Sequence, residues 1–223
     1  MKQNILIAGV GGQGNLFASA LLAKSAIRRG YQVLATETIG AAQRGGSVVS
    51  HVRVADHVLY SPLIPDGQAD CIVGFEPIEL LRHIRKLKQN GQYILNTHPV
   101  LTVGCTVGVD HYPTLSEILD ALNQMNVRGH VIHATEAADE IGDPLLMNMV
   151  MIGALCAVSA FFELDDIKAL AAEGSRKALV EANLEARPVY FLERPNGQQM
   201  HRFEIRLVER GGISLYQVVG LQP

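Results

Sequence analysis

The chain has 223 residues, a formal net charge of −3, and 48% apolar against 18% charged residues. That suits one large α/β domain whose core needs no disulfide or metal staple, and it excludes the global cationic field that gathers nucleic acid. No stretch reaches the roughly 18 uninterrupted apolar residues of a membrane span. Residues 1–7 read as a strand and not as a signal peptide, so the expected location is the cytoplasm, with neither membrane nor nucleic acid as a partner. The apolar surplus has two readings. One is a sheet covered on both faces, whose strands are continuous apolar runs. The other is apolar surface held for a subunit interface.

In chain order, residues 4–8 form a short apolar strand, followed by Gly9-Val10-Gly11-Gly12-Gln13-Gly14. Residues 16–27 carry Ala, Leu and Phe at helical spacing and end at Gly30, a natural C-cap. Residues 32–36 are a second strand, giving the β–loop–α–β opening of a doubly wound fold. A second glycine-rich loop, residues 40–46, precedes 47–54, whose alternation predicts a half-exposed strand. Pro62, Pro65 and Gly67 break the chain before a buried strand at 71–75 and a helix at 78–88. The basic run from Arg82 to Lys88 alternates there with Leu81, Ile84 and Leu87, as the solvated face of an amphipathic helix does. Asn90-Gly91 turns into a strand at 92–96.

A β-rich stretch around 100–109 leads to a helix at 116–125 and a strand at 130–134. The chain then reads as helical to 185, broken at Gly142-Asp143-Pro144 and near Glu173-Gly174, with Ala186-Arg187-Pro188 ending it. Within it, residues 145–162, rich in methionine, divide between a core helix and one partly buried in a subunit contact. Residues 200–208 and 213–219 around Gly211-Gly212 read as a β-hairpin. The expected architecture is a Rossmann-like, doubly wound, mostly parallel sheet in residues 1–188, with a C-terminal β-hairpin extension in 189–223.

The 3 cysteines, Cys71, Cys105 and Cys156, form no CxxC pair and sit in apolar runs, where free cysteine acts as a small buried hydrophobe. The chain alone therefore cannot hold a four-cysteine iron–sulfur cluster. His130 and His133 fall on opposite faces of their predicted strand, and no metal site is expected.

Chemistry concentrates in the glycine loops. Gly9, Gly11 and Gly14 stand between a strand and a helix, where glycine permits close backbone approach and first-turn N–H groups face an anion. The alternative is that the glycines only let helix pack on strand. Glu37, near the end of the second strand, stands where a dinucleotide-binding protein carries its ribose-reading acid. This supports an NAD-dependent dehydrogenase or other nucleotide-binding Rossmann protein as a competing reading. Against it, a second loop carrying a guanidinium follows directly, and no catalytic constellation appears elsewhere.

The first loop combined with Ala42-Gln43-Arg44-Gly45-Gly46-Ser47 resembles the gamma subunit or domain of the 2-oxoacid:ferredoxin oxidoreductases, in particular the small (beta) subunit of the indolepyruvate enzymes. Val49-Ser50-His51-Val52-Arg53 and Asn148-Met149-Val150-Met151-Ile152-Gly153-Ala154 fit the same likeness, which runs over roughly residues 4–186. The tail after Pro188 extends beyond it. The resemblance implies oxidative decarboxylation of a 2-oxoacid such as pyruvate or indolepyruvate to an acyl-CoA, with electrons leaving through iron–sulfur clusters to ferredoxin and thiamine diphosphate as electron sink. This chain lacks the cluster cysteines and a Gly-Asp-Gly thiamine motif. The resemblance therefore implies a supporting subunit of a hetero-oligomer with no catalytic residue and no tightly bound cofactor of its own. Thiamine diphosphate, magnesium and the 4Fe–4S clusters are expected on partner subunits, with coenzyme A as co-substrate. Gly9, Gly11, Gly12, Gln13, Gly14, Gln43, Arg44, Gly45 and Gly46 are the expected contacts to the coenzyme A phosphates, with Arg44 as the bidentate anchor. The remaining alternative is an assembly module whose loops pack only against the partner.

Overall fold

The computed structural model describes residues 1–40, 45–140, 142–174, 189–192, 201–210 and 213–222. Strands β1 (Lys2–Val10), β2 (Gln32–Ile39), β3 (Ser47–Ala55), β4 (Ala69–Gly74), β5 (Leu87–Asn96) and β6 (Arg128–Ile132) form one 6-stranded sheet of order β2-β3-β1-β4-β5-β6. β1, β4, β5 and β6 are mutually parallel, and β3 runs antiparallel to both its neighbours. The expected α/β class and mostly parallel sheet are present. The simple β–α–β opening is corrected: β2 does not pair with β1, because the β2–β3 hairpin folds back and inserts β3 between them.

Alternation along the strands sends residues to two cores. Ile5, Ile7, Val52, Val54, Cys71, Val73 and Ile94 face helices α1 (Asn15–Arg28), α5 (Ala134–Glu140), α6 (Met147–Val158) and α7 (Leu164–Gly174). Leu6, Val49, Ile72, Tyr93 and Leu95 face α2 (Pro77–His83) and α4 (Leu115–Gln124). α1 and α2 thus cover opposite faces of the sheet, so the chain changes face between neighbouring strands β1 and β4. That is where open α/β sheets leave a crevice at the carboxyl ends of their strands.

Several boundaries differ from the sequence reading. The helix expected over 78–88 begins at Pro77, capped by the Glu76 carboxylate accepting the Glu79 N–H at 2.9 Å, and ends at His83. A 3₁₀ turn, Ile84–Lys86, leads into β5, so Leu87 is a strand residue. The basic run is accordingly no helical face. Arg82 pairs with Glu79, Arg85 and Lys86 with Asp66, and Lys88 with Asp70. The β-rich expectation for 100–109 is also overturned. The segment pairs with no strand among the described residues, and Thr102 Oγ1 caps the Cys105 N–H of a short helix, α3 (Val103–Thr106). β6 starts two residues earlier than its expected position at 130, and α4 falls one residue from the expected helix.

β3, expected half-exposed, is buried along nearly its whole length. Its polar residues misled the alternation because the segment after β3 satisfies them. Arg53 donates to Asn4 Oδ1 at 3.1 Å and to the carbonyls of Ser61 and Leu63, and His51 Nδ1 accepts the Ile64 N–H at 3.1 Å. The segment after Thr135 breaks into α5, a 3₁₀ turn, α6 and α7; residues 175–188 lie outside the described residues. α6 packs into the chain's own core through Met147, Val150, Met151, Ile152 and Leu155, as the core-helix reading expects. Cys71 is buried as expected, but Cys105 and Cys156 are half-buried. The C-terminal hairpin forms between β8 (His201–Arg210) and β9 (Ile213–Gln222), and β7 (Val189–Leu192) adds a third antiparallel strand.

Burial, followed by the charges of Lys86, His83 and Arg53, lowers the His51 pKa from 6.5 to about 4. Between those values the unfolded chain binds a proton that the folded chain refuses, so stability falls as pH drops through that window. His51→Gln, which retains an acceptor, should flatten this dependence without abolishing it, because His83 is lowered as well. Urea unfolding at pH 7.5 and pH 5 checks it: equal pH losses for both proteins would show that His51 does not titrate in this way.

Candidate functional site

The site is assembled at the carboxyl ends of β1, β4 and β5. β1 ends at Val10, and the chain turns through residues 11–14 into α1. The Gly11 N–H donates to the Gly46 carbonyl at 2.9 Å, joining the first glycine loop to the base of the β2–β3 hairpin. That hairpin is closed by the Gly40 N–H to the Ser47 carbonyl at 2.7 Å. The two loops recognised separately in the sequence are therefore neighbours in space. Gln43 and Arg44 lie outside the described residues.

The glycines do different work. A Cβ on Gly9 would stand 2.7 Å from Gln13 Oε1 and 3.0 Å from the Phe75 Cβ, so Gly9 is a close-packing position. Gly12 and Gly45 have φ of +100° and +71°, and a Cβ on either would meet nothing within 4 Å. They form the open side of the paired loops. Gly14, at φ +83°, is the N-cap of α1 and supplies no side-chain cap, and no acid occupies the helix's first turn. The backbone N–H groups of Gly12, Gly14, Leu16 and Phe17 have no partner among the described residues. That set of donors at a helix N-terminus favours an anion.

Gln13 has a different place from the one expected of a ligand amide. Its Oε1 accepts the Val10 N–H at 2.9 Å and its Nε2 donates to the Phe75 carbonyl at 3.1 Å. Both ends of the amide are spent within the chain, so it shapes the loop. Asn96, at the end of β5, reaches the same carbonyl: its Nδ2 donates to Phe75 O at 3.0 Å and to Thr135 Oγ1 at 2.9 Å. Its Oδ1 accepts the N–H groups of Ala134 and Thr135 at 3.1 and 3.2 Å. One buried side chain thus ties together the ends of β4 and β5 and the start of α5.

Two buried acids below the loops were not anticipated. Glu76 caps α2, accepts the Val100 N–H at 3.3 Å and receives the Tyr112 hydroxyl. Burial raises its pKa, against the opposing pull of those hydrogen bonds. Glu79 accepts Ser47 Oγ at 2.6 Å and pairs with Arg82, fixing α2 to the hairpin base. The sequence signal for Glu76 was its position before Pro77, since an acid followed by proline opens a helix. Glu37, the ribose-reading candidate, instead accepts Ser19 Oγ at 2.9 Å from an edge strand that β3 separates from β1. That removes the adjacency of first and second strands on which the dinucleotide reading depends.

The fold is a doubly wound α/β one, with two glycine loops side by side at its topological switch. Residues 4–187 match the pyruvate ferredoxin/flavodoxin oxidoreductase family, and the chain belongs to it. It is 38% identical over 187 residues to the indolepyruvate oxidoreductase subunit IorB of Archaeoglobus fulgidus, covering 83% of this chain and 92% of that one. It is 41% identical over 163 residues to IorB of Pyrococcus horikoshii, covering 72% and 80%. The fold is shared with the keto/oxoacid ferredoxin oxidoreductase gamma subunit from Geobacter sulfurreducens, with a TM-score of 0.58, 20% identity and coverage of 81% and 90%. It is also shared with part of the 2-oxoglutarate:ferredoxin oxidoreductase from Magnetococcus marinus, solved with 2-oxoglutarate, coenzyme A and succinyl-CoA bound. There the TM-score is 0.59 at 22% identity, over 80% of this chain and 28% of that one. The chain is thus a subunit of the kind found in 2-oxoacid:ferredoxin oxidoreductase complexes, and strands β7, β8 and β9 lie beyond the family match.

Asn96→Ala should lower the unfolding free energy by about 2–4 kcal/mol, because it leaves several buried partners without hydrogen bonds. Urea denaturation at neutral pH measures it. A loss under about 0.5 kcal/mol would mean that water replaces the amide and that Asn96 does not hold the strand ends.

Proposed function

We propose that this chain is the supporting subunit of a 2-oxoacid:ferredoxin oxidoreductase, and that its paired glycine loops hold phosphate groups of coenzyme A in a cavity shared with the thiamine-bearing partner. The observation that carries the reading is the Gly11–Gly46 hydrogen bond, which sets two glycine loops side by side at the N-terminus of α1, with donors left over. Identity to the two IorB proteins favours an indolepyruvate-type 2-oxoacid, with pyruvate as the next candidate. Thiamine diphosphate, magnesium and iron–sulfur chemistry are assigned to partner chains, and this chain's residues bind and orient the co-substrate. Among the described residues, no group of three or more His, Cys, Asp or Glu gathers as a metal site. No described helix is long and apolar enough to cross a membrane. Residues 1–188 are read as the family domain and 189–223 as an extension of it.

A second reading, an assembly module without a ligand, draws on Leu16, Phe17 and Ile39. These are exposed at 52%, 42% and 61% beside the α1 N-terminus and at the end of β2, and apolar side chains there suit a partner surface. Two experiments separate the readings. First, the purified chain assayed alone with indolepyruvate, pyruvate and 2-oxoglutarate against a viologen acceptor should show no turnover; activity without a second subunit would remove the supporting role.

Second, Arg44→Lys in the reconstituted complex should raise the KM for coenzyme A about ten- to a hundred-fold. An ammonium cannot reproduce a bidentate guanidinium fork, and a hydrogen bond to a charged group contributes about 1.5–3 kcal/mol. Loss of assembly in a pull-down with unchanged KM would favour the assembly reading. No change in either quantity would leave Arg44 a solvated charge.

A further inference from the structure

Asn148, the second residue of α6, is 9% exposed. Its carboxamide makes no hydrogen bond among the described residues, and its polar atoms are not sealed off from solvent. Its position is specific: a Cβ on Gly14 would lie 2.1 Å from Asn148 Nδ2 and 3.2 Å from its Cγ. The amide therefore rests on the residue that caps α1. Gly14 can be there only because it has no side chain and adopts φ +83°. Around the start of α1 stand N–H groups without a partner among the described residues, those of Gly12, Gly14, Leu16 and Phe17, and the Asn148 Nδ2 donor reaches Gly14 from a second helix. Two acceptors without a partner among the described residues are also near, the Asn148 carboxamide oxygen itself and Asn15 Oδ1, which lies against Gly9. A cluster of donors at the positive end of a 14-residue helix is complementary to a group offering several oxygen acceptors and negative charge.

We propose that Asn148 is a ligand-contacting donor of the glycine-loop site, completing from α6 a cradle for a phosphoryl group whose other wall is the N-terminus of α1. This rests on the anion-site reading above and adds to it a second helix. α6 is a core helix, packed through Met147, Val150, Met151 and Leu155, so it holds the amide in place before ligand arrives. The bound phosphoryl group would then bridge α1 and α6 across Gly14.

The test uses the reconstituted complex and calorimetric titration with coenzyme A, inorganic pyrophosphate, and pantetheine as the phosphate-free control. Asn148→Asp keeps the shape but replaces the donor with a charged acceptor. It should weaken coenzyme A and pyrophosphate at least tenfold and leave any pantetheine binding unchanged. Asn148→Ala should weaken the phosphate ligands less, and it serves as the readout if the aspartate variant does not fold by urea denaturation. If Arg44→Lys weakens coenzyme A binding while Asn148→Asp and Asn148→Ala do not, Asn148 only packs on Gly14 and this inference is overturned with the anion site intact. If neither the Arg44 nor the Asn148 variants change binding of any phosphate ligand, the anion-site reading fails and takes this one with it.

Discussion

The carbonyl oxygen of Phe75 is the point on which the site depends. Two side-chain amides from different parts of the chain, Gln13 at 3.1 Å and Asn96 at 3.0 Å, donate to it, while the Phe75 N–H reaches back to the Ala8 carbonyl at 2.8 Å. Each bond contributes only about 0.5–1.5 kcal/mol net. Their arrangement matters more than their sum, because they fix the ends of β1, β4 and β5 to one another where the chain changes from one face of the sheet to the other. The first glycine loop is short and rich in conformationally free residues. Without the Gln13 bridge to Phe75, little would hold its backbone donors in a common direction. Gln13 thus serves any ligand indirectly, by shaping the loop that would meet it.

The second constraint is the insertion of β3. A hairpin that folds its returning strand next to β1 carries its own turn to the same edge as the β1–α1 loop, and the Gly11–Gly46 bond follows from that register. The cost is a central strand containing Ser50, His51 and Arg53, which must be made compatible with burial. Residues 61–64 do this for His51 and Arg53 by supplying carbonyls and one N–H. Ser50 Oγ has no such partner. The same insertion moves β2 to the sheet edge and takes Glu37 away from the position a dinucleotide ribose would need. One topological choice therefore brings two glycine loops together and disfavours the competing nucleotide reading.

Much of this was legible in the sequence, and the failures have identifiable causes. Gly30 marked the end of α1 correctly and does take a left-handed φ of +82°, because only local geometry is needed there. The two glycine loops stood out as runs of glycine at strand ends, where close backbone approach is possible, but their spatial neighbourhood, set by the Gly11–Gly46 bond, was not legible. Strand order was not legible, since a β–α–β pattern reads the same whether the second strand lies beside the first or one place away. β3 was misjudged because alternation counts polar residues as exposed, whereas Arg53 and His51 are satisfied by residues just beyond the strand. The strand expected around residue 105 failed for the complementary reason. Its β-branched residues have no ladder partner among the described residues, so Val107 and Val109 remain exposed at 66% and 79% and local capping by Thr102 decides the conformation.

The glycines bear on a choice that sequence alone left open, between packing and ligand approach as the reason for the motif. The alternatives are divided among residues. Gly9 is excluded from carrying a side chain by Gln13, Asn15 and Phe75, which is a packing demand. Gly11 contributes its N–H to the neighbouring loop, which is an assembly demand on the backbone. Gly12 meets neither demand, for a Cβ there would meet nothing within 4 Å, and only its φ of +100° and an N–H without a partner among the described residues distinguish it. Gly14 combines a left-handed cap with the pressure of the Asn148 amide. A substitution at Gly9 therefore acts through the fold, and one at Gly12 acts through the strain of its φ and through whatever approaches the loop from outside. Because the open glycine lies next to the unpartnered donors, the part of the motif that packing does not explain is the part left open at the surface of the loop, and it is the part on which the proposed anion site rests.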